Sequence, residues 1–298
     1  MKSNLLKQIC RRWLEKYGPS RWVQTCAVAG FAAVLAVPAS ADIDLVFGTY
    51  AADKPSTTVR KFKPFLRYLS EEMASILGEP VKIRMKIAKE YETGISHLAN
   101  GDVDFARFGP ASYVTVKERN AGIEIVAMES KKGTKRSKGI IAVHRDSEIV
   151  SLSGLTQQSF AFGDELSTIG RYLSQCHLID AGVTSKELSG YEYLGRHDRV
   201  GSAVGEGRFT AGALKESTFK KLVKSGVPIK ALFEFENVTK PWLAASDLDP
   251  EVLAVMRQVM LGTTDVKVLG GIAKDGFIEG FDADYDFIRN AIKNSNKF

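Results

Sequence analysis

Short apolar runs alternate with longer amphipathic segments along the first half of the chain, starting near residue 43. The runs are rich in β-branched residues and predict strands at 43–50, 81–87, 103–108 and 123–128. The amphipathic segments between them predict helices near 56–77, 91–99 and 110–120. This alternation is typical of a sheet whose strands run mostly parallel, with helices on both faces.

The same alternation returns between about residues 139 and 238. It predicts further strands at 140–144, 160–162, 191–194, 209–214 and 229–235. We therefore predict an α/β fold of two lobes, each a mostly parallel sheet flanked by helices. Lobe 1 is formed by residues 42–138 plus 239–298, and lobe 2 by residues 139–238. Two extended segments, near 138–144 and 238–244, would form a two-strand hinge that closes around a ligand.

The stretch 159–173 carries the first candidate site. It predicts a buried strand, a tight turn at Gly163 and a helix that begins at Ser167 or Thr168. A hydroxyl at a helix start accepts a bond from free backbone N–H groups, and those groups with the helix dipole attract an anion. An ordinary capped helix after a strand has the same pattern, so this stretch alone does not decide between capping and anion binding.

Other candidate residues lie where predicted strands lead into helices. Tyr50, Ser112 and Tyr113 follow strands of lobe 1, and ligands of such sheets bind beyond the carboxyl ends of the strands. Packing is the alternative role for the two tyrosines. In lobe 2 a turn that faces the cleft carries Arg196 and His197, and His197 opens the helix that follows. Either the cationic form of this imidazole or its neutral N–H would donate to an anion.

The first 41 residues have the pattern of an export signal. Basic residues precede an apolar run that is too short to span a bilayer, and Ala39-Ser40-Ala41 has the pattern of a cleavage site. We expect export to the periplasm with cleavage near Ala41, by the Sec or the twin-arginine route. Without this leader, 35 basic and 34 acidic residues remain, a net charge of +1 that removes the main support for a nucleic-acid partner.

The residue types that carry catalysis do not form a catalytic pattern. No serine lies in a G-x-S-x-G turn, the four histidines lack metal-ligand spacing, and no nucleotide-binding glycine pattern occurs. Cleavage of the leader would leave Cys176 as the one cysteine, so no intrachain disulfide is expected. We therefore predict a monomer with no catalytic residues, no metal site and no cofactor, which is not an enzyme.

Several short motifs, taken in order, resemble a known family. They are Asn100-Gly101-Asp102-Val103-Asp104-Phe105 leading into Phe108-Gly109-Pro110-Ala111-Ser112-Tyr113, then Ser167-Thr168-x-Gly170, Gly195-x-His197-Asp198, Thr210-Ala211-Gly212-Ala213 and Lys240-Pro241-Trp242. From residue 42 to about residue 286 the chain resembles the phosphate/phosphite/phosphonate family of periplasmic solute-binding proteins, the capture subunits of ABC importers. The resemblance implies the two-lobed binding-protein fold and capture of a small oxyanion by hydroxyls and amides at Ser167 and Thr168. It also implies assistance from three further side chains, Tyr50, Tyr113 and His197.

The chain departs from the family pattern at three positions. Ile169 and Thr210 stand where the family often has a small hydroxyl residue and an Asp, and Arg107 stands where it usually has an apolar residue. The missing carboxylate at Thr210 argues against an aminoalkylphosphonate, and the charges of Arg107 and Arg196 favour a compact, doubly charged anion. The expected partner is a membrane permease. A sensor that presents its ligand to a membrane receptor or kinase is the alternative, followed by an enzyme acting on phosphonate or phosphate esters.

Overall fold

The structure, a computed structural model, describes residues 42–298 and contains two sheets flanked by helices, as predicted. Its strands are β1 (Ile43–Tyr50), β2 (Val81–Ala88), β3 (Phe105–Arg107), β4 (Glu124–Glu129), β5 (Arg136–His144), β6 (Ser159–Phe162), β7 (Gly190–Tyr193), β8 (Ala211–Lys215), β9 (Ile229–Val238), β10 (Pro241–Ala244) and β11 (Phe277–Ile278). Its α-helices are α1 (Pro55–Leu77), α2 (Tyr91–Ala99), α3 (Pro110–Arg119), α4 (Ser174–Asp180), α5 (His197–Gly205), α6 (Glu216–Lys224), α7 (Pro250–Gly262), α8 (Val266–Leu269) and α9 (Asp286–Ser295). None of the helices in this part of the chain is long and apolar enough to cross a membrane.

The first sheet has the strand order β11-β4-β10-β3-β1-β2. Because β1 runs parallel to β2 and β3, the carboxyl ends of β1 and β3 lie at the same edge. Tyr50, at the end of β1, therefore lies beside Gly109, just past the end of β3. β10 lies between β3 and β4 and is antiparallel to both, because the chain enters this sheet at its carboxyl edge directly from the second sheet.

Aromatic side chains fill the core on one face of the first sheet. Trp242 on β10 is fully buried and stacks on Phe47 of β1, with ring centroids 5.1 Å apart. The ring of Phe65 on α1 meets the Trp242 ring edge-on at 5.2 Å. Buried rings of this size contribute strongly to stability. They anchor β10, and so hold Lys240, the residue before Pro241, at the carboxyl edge of the sheet.

The second sheet has the strand order β7-β6-β8-β5-β9. β6 runs parallel to β7 and β8, whereas β5 is antiparallel to β8 and β9. Both sheets are thus mixed rather than mostly parallel, because β5, β9 and β10, which carry the chain between the sheets, run against their neighbours. The carboxyl ends of β6 and β8 share an edge, which brings the turn at Gly163 and Lys215 to the same side.

The chain passes between the two sheets at residues 130–135 and again at residues 239–240. The two crossing segments lie side by side, since the amide of Thr239 donates to the carbonyl of Lys135 at 2.9 Å. The C-terminal helix α9 packs against α4, and the thiol of Cys176 contacts the carbonyl oxygen of Ala291 at 3.3 Å. The lobe boundaries at residues 138 and 239 stay a prediction.

Candidate anion-binding site

Two adjoining cavities of about 30 Å³ each lie where the carboxyl edges of the two sheets meet. Four residues line both cavities: Tyr50, Gly109, Lys215 and Lys240. The first cavity, the hydroxyl pocket, is further lined by Tyr91, Pro110, Ser167, Thr168, Ile169, His197 and Asn237. The second cavity, the basic pocket, is further lined by Thr49, Ala52, Asp53, Thr58, Lys61, Phe62, Arg107 and Phe108. Both cavities draw residues from both sheets.

The hydroxyl pocket is built on the predicted strand-turn-helix segment. β6 ends at Phe162, and the chain becomes helical at Thr168, first as a π-helix over Thr168–Leu173 and then as α4. Ser167 caps this helix, and its Oγ accepts a hydrogen bond from the Gly170 amide at 3.0 Å. The predicted helix start is therefore confirmed, and a capping hydroxyl stabilises it.

Gly170 in this motif serves a close approach of two backbone segments. The amide of Gly163 donates to the carbonyl of Gly170 at 2.8 Å. A Cβ added to Gly170 would lie 2.8 Å from Cα of Gly163, closer than such atoms come in proteins. Any side chain there would push the turn away from the helix, so the glycine fixes the position of Ser167 relative to β6.

The start of α3, which follows the first sheet, faces Thr168 across the hydroxyl pocket. The amide of Ala111 donates a hydrogen bond to Oγ1 of Thr168 at 2.8 Å. An amide in the first turn of a helix has no partner within that helix, so it takes an acceptor from outside. The hydroxyls of Ser167 and Thr168 each accept a backbone hydrogen bond and keep their own protons to donate, for example to an oxyanion.

The Tyr50 hydroxyl lies between the two pockets and is held from several sides. It accepts the amide N–H of Gly109 at 2.7 Å and lies 2.8 Å from Oγ of Ser112. The Tyr50 ring stacks on Tyr91, with centroids 3.7 Å apart. Burial raises the pKa of Tyr50 to about 12, although the hydrogen bonds with Ser112 and Gly109 lower it. The phenol therefore keeps its proton at physiological pH.

Ser112 and Tyr113 line neither cavity. Ser112 is fully buried and acts on the site through its contact with the Tyr50 hydroxyl. Tyr113 points away, donates a hydrogen bond to Oδ1 of Asp282 at 2.6 Å, and packs on Tyr285 with ring centroids 4.6 Å apart. Burial, together with that carboxylate, raises the pKa of Tyr113 above its usual value. In this structure Tyr113 has a packing role, which the sequence analysis gave as the alternative to ligand contact for the two tyrosines.

The guanidinium of Arg196 also lies outside both pockets. Its Nε and Nη2 donate to the two carboxylate oxygens of Asp198 at 3.0 and 2.8 Å, a bidentate ion pair. The side chain lines a wider groove of about 850 Å³, along which Glu90 and Asp164 also lie. The structure thus brings Tyr50, Ser167, Thr168 and His197 together, but not Tyr113 or Arg196.

His197 is buried in the hydroxyl pocket at the start of α5. Its backbone amide donates to the carbonyl of Ala52, in the loop after β1, at 3.3 Å. Burial, and then the charge of Lys215, lower the pKa of the His197 imidazole to about 3, so the ring is neutral at physiological pH. Within residues 42–298, neither Nδ1 of this ring nor Oδ1 of Asn237 in the same pocket has a hydrogen-bond partner.

Two of the cations around the pockets are paired. Lys215 forms an ion pair with Asp53, from the loop after β1. Burial alone would raise the pKa of Asp53, but the charge of Lys215 and the hydrogen bond from Lys215 lower it to about 2. Arg107 pairs with Glu129 at 2.6 Å, and both side chains are nearly buried. Each of these pairs is electrically balanced.

Two further cations, Lys61 and Lys240, have no ion-pair partner in the part of the chain that the structure describes. Burial, and then repulsion by Arg107, lower the pKa of Lys61 to about 7. The same two causes, with repulsion by Lys215 and Lys61, lower the pKa of Lys240 well below its usual value. A nearby anion would reverse both effects, because it favours the charged form of each ammonium group.

The sequence analysis did not identify Lys61, Lys215 and Lys240 as site residues. Lys61 lies within the long helix α1, where a lysine is typical of a solvent-exposed face, so the sequence carries no signal for it. Lys215 ends β8, and the strand-end argument that selected Tyr50 would have selected it too. Lys240 belongs to the motif with Pro241 and Trp242, but no argument from its residue type gave it a role.

The chain matches a protein family over most of its length. The family described as "ABC transporter, phosphonate, periplasmic substrate-binding protein" matches residues 47–285. This range includes every residue that lines the two pockets. It also includes both sheets apart from the first four residues of β1.

Individual relatives are similar over much of their length. The probable ABC transporter phosphite binding protein PhnD1 of Prochlorococcus marinus is 26% identical over 203 residues, 64% of this chain and 66% of the relative. The phosphate-import protein PhnD of Mycolicibacterium smegmatis is 24% identical over 275 residues, 80% of this chain and 82% of the relative. The fold is similar to that of PhnD1 from Prochlorococcus marinus solved in complex with methylphosphonate, with a TM-score of 0.76 and 22% identity over 86% of this chain and 99% of that chain. The chain therefore belongs to the family of periplasmic substrate-binding proteins of phosphonate ABC transporters.

Proposed function

We propose that the protein captures a small phosphorus oxyanion, such as a phosphonate, phosphite or phosphate, and delivers it to the permease of an ABC importer. The observation that carries this proposal is the hydroxyl pocket, where the helix start at Ser167 and Thr168 faces two lysines, Lys215 and Lys240. The choice of phosphorus is supported by two relatives. PhnD1 of Prochlorococcus marinus is named for phosphite and was solved with methylphosphonate, and PhnD of Mycolicibacterium smegmatis is named for phosphate import.

In the proposed complex, the hydroxyls of Ser167 and Thr168 donate to oxygens of the anion while the two lysines neutralise its charge. The ligand is proposed to displace the hydrogen bond between Ala111 and Thr168, which lies at the edge of the pocket. The freed Ala111 amide, at the positive end of α3, then donates to the anion instead. The proposed binding residues are Tyr50, Ser167, Thr168, His197, Lys215 and Lys240, with Ser112 positioning Tyr50.

Ligand binding is proposed to close two lobes, residues 42–138 plus 239–298 and residues 139–238, about the crossing segments. Contacts between residues of the two proposed lobes support this, among them the ion pair of Asp53 with Lys215 and the hydrogen bond from the His197 amide to Ala52. An anion that contacts both lobes would stabilise the closed arrangement by its differential affinity for that state.

Export, monomeric state and the absence of catalysis belong to the same proposal. The predicted signal, cleaved near Ala41, lies outside the described residues. In the hydroxyl pocket, Ser167 Oγ accepts from the Gly170 amide, and Nδ1 of His197 has no partner in residues 42–298. Ser167 is thus not hydrogen-bonded to a general base at that nitrogen, which a serine nucleophile needs. Capture without turnover is the function that this arrangement supports.

Calorimetric titration of the purified protein with phosphate, phosphite, methylphosphonate and sulfate tests the proposal. We expect saturable one-to-one binding of at least one phosphorus oxyanion, tighter than that of sulfate, with the ligand recovered unchanged. Binding of none of the four, preference for sulfate, or conversion of the ligand would contradict the proposed capture of a phosphorus oxyanion.

A further inference from the structure

The basic pocket adjoins the hydroxyl pocket but has a different wall. Lys61 of α1 and Arg107 of β3 line the basic pocket and not the hydroxyl pocket. Thr58, one turn before Lys61 on the same helix, adds a hydroxyl to this wall. A ligand confined to the hydroxyl pocket therefore contacts the shared lysines, Lys215 and Lys240, and leaves the ammonium group of Lys61 without contact.

The charges around the basic pocket do not balance. Asp53 compensates Lys215, and Glu129 compensates Arg107. Lys61 has no carboxylate partner within residues 42–298, and an ammonium group that is taken out of water without one costs free energy.

Lys240, the other unpaired ammonium, lines both pockets and is matched by the oxyanion in the hydroxyl pocket. This leaves Lys61 as the ammonium that the basic pocket must match, which takes one singly charged group. A second doubly charged oxyanion would bring excess negative charge beside the two carboxylates already there.

We propose that the basic pocket is a second anion subsite and that the ligand has two acidic groups, a phosphonate or phosphate in the hydroxyl pocket and a carboxylate beside Lys61. The two pockets share four wall residues, so the spacer between the groups is short, of the kind found in a phosphonocarboxylate. This inference rests on the proposed function, because the oxyanion must occupy the hydroxyl pocket for its carboxylate to reach the basic pocket.

Binding of the carboxylate should be accompanied by proton uptake at Lys61. Among the charged groups that face Lys61, Arg107 and Lys215 disfavour its charged form, whereas Glu129 and Asp53 favour it. Lys240 lies in the same pocket, and the charges of Lys61 and Lys240 repel each other. With burial, the charged groups around Lys61 lower its pKa to about 7, so part of the population is neutral at pH 7 to 8 without ligand. A carboxylate at contact distance favours the ammonium form and raises that pKa again.

The test compares phosphonoacetate with carbamoylmethylphosphonate, which has the same shape but a neutral amide in place of the carboxylate. Both are titrated calorimetrically into the wild-type protein, Lys61→Met, and the matched control Lys63→Met, which changes an exposed lysine on the same helix. We expect the wild type and the control to bind phosphonoacetate about ten- to a hundredfold more tightly than the amide. In Lys61→Met this preference should vanish, because the affinity for phosphonoacetate falls far more than the affinity for the amide.

Repeating the titrations in two buffers of different ionisation enthalpy measures proton uptake on binding. In the wild type the uptake should be larger for phosphonoacetate than for the amide. In Lys61→Met the two ligands should give the same uptake. Lys61→Gln, which keeps a polar side chain, should behave as Lys61→Met does and guards against a folding defect. Equal binding of both ligands by the wild type, or equal weakening of both by Lys61→Met, would overturn the second subsite and leave the proposed function standing. If neither of these ligands, nor phosphate, phosphite or methylphosphonate, binds the wild type, both proposals are wrong.

Discussion

The backbone amide of Ala111 donates a hydrogen bond to the side-chain oxygen of Thr168 at 2.8 Å, and these two residues belong to the starts of helices that follow different sheets. Two positive helix ends therefore meet at one pocket, with only a hydroxyl between them. Helix ends of this kind attract anions. An oxyanion inserted between Ala111 and Thr168 would accept hydrogen bonds from the Ala111 amide and the Thr168 hydroxyl, which is why we place the ligand there.

Gly109 offers a steric test of that location. A methyl group on Gly109 would lie 3.1 Å from the Tyr50 hydroxyl and 3.5 Å from Oγ1 of Thr168, in the space that the anion needs. We expect Gly109→Ala to weaken oxyanion binding by about ten- to a hundredfold, measured by calorimetry. Its backbone angles, φ −77° and ψ 159°, suit alanine, so the free energy of unfolding should change by less than about 1 kcal/mol.

Gly262→Ala is the matched control, because a Cβ on Gly262, at the end of α7, would have no atom within 4 Å. It should bind the ligand like the wild type. Wild-type affinity in Gly109→Ala as well would show that the ligand lies elsewhere.

The ion pair of Asp53 with Lys215 should make stability depend on pH in the acidic range. The pKa of Asp53 is about 2 in the folded protein, below the value of about 3.9 in an unfolded chain. The carboxylate therefore contributes stability that is fully present above about pH 4 and is lost as pH falls toward 2. We expect Asp53→Asn to lower the free energy of unfolding at pH 7 by on the order of 2 kcal/mol.

Denaturant unfolding at pH 7 and at pH 2.5 measures this difference, which should shrink at the lower pH. Glu206→Gln is the control, since the pair of Glu206 with Arg208 is mostly exposed and surface pairs contribute little. If Asp53→Asn is no more destabilising than Glu206→Gln at pH 7, the pair across the two sheets does not stabilise the protein.

The buried His197 should make the stability of the folded protein depend on pH below about 6.5. Its pKa in the folded protein is about 3, below the ordinary value of about 6.5. Between these values the unfolded chain takes up a proton that the folded protein does not, so stability falls as pH drops below about 6.5. The slope for one such group reaches about 1.4 kcal/mol per pH unit.

His197→Gln should remove that part of the pH dependence, and His97→Gln, at a half-buried position on α2, should leave it in place. The comparison is made by denaturant unfolding between pH 5 and pH 7. A nuclear magnetic resonance titration in which the His197 ring protonates near pH 6.5 would contradict the neutral, buried imidazole.

Residues at strand ends and helix starts could be found from the sequence. Tyr50, Ser167, Thr168 and His197 were predicted because the hydrophobic pattern locates strand ends, and parallel strands gather their carboxyl ends at one edge. The same argument predicts Ser112, which acts on the site only through Tyr50. The two lobes were predictable for a related reason, since the strand–helix alternation occurs twice.

Whether the other candidate residues reach the site depends on side-chain directions and on distances that the hydrophobic pattern does not specify. Tyr113 follows Ser112 on a helix, where one residue turns the side chain by about 100° and so onto another face. Arg196 meets a carboxylate two residues later, at Asp198, before it can reach a ligand.

Lys61 becomes a site residue because α1 comes close to Arg107 at the end of β3, where the Arg107 guanidinium lies over the Phe62 ring at 5.5 Å. An amphipathic helix pattern cannot specify this tertiary arrangement.

The sequence pattern also could not predict the complete strand order of the two mixed sheets. The run of strands and helices predicted parallel neighbours, and β1, β2 and β3 are parallel. The insertion of β10 between β3 and β4 follows from where the chain returns from the second sheet, which the order of elements does not determine.

The most direct test of anion capture at the helix start is the affinity of Ser167→Ala and Thr168→Val, measured by calorimetry beside the melting temperature without ligand. Each change deletes one hydroxyl donor and leaves the backbone amides in place, and a hydrogen bond to a charged group contributes roughly 1.5–3 kcal/mol. We predict that each variant binds its best oxyanion about ten- to a hundredfold more weakly, whereas the exposed control Thr156→Ala binds normally. Loss of the cap alone would lower the melting temperature of Ser167→Ala and leave affinity intact. Near wild-type affinity in both variants, whatever their stability, would contradict the account.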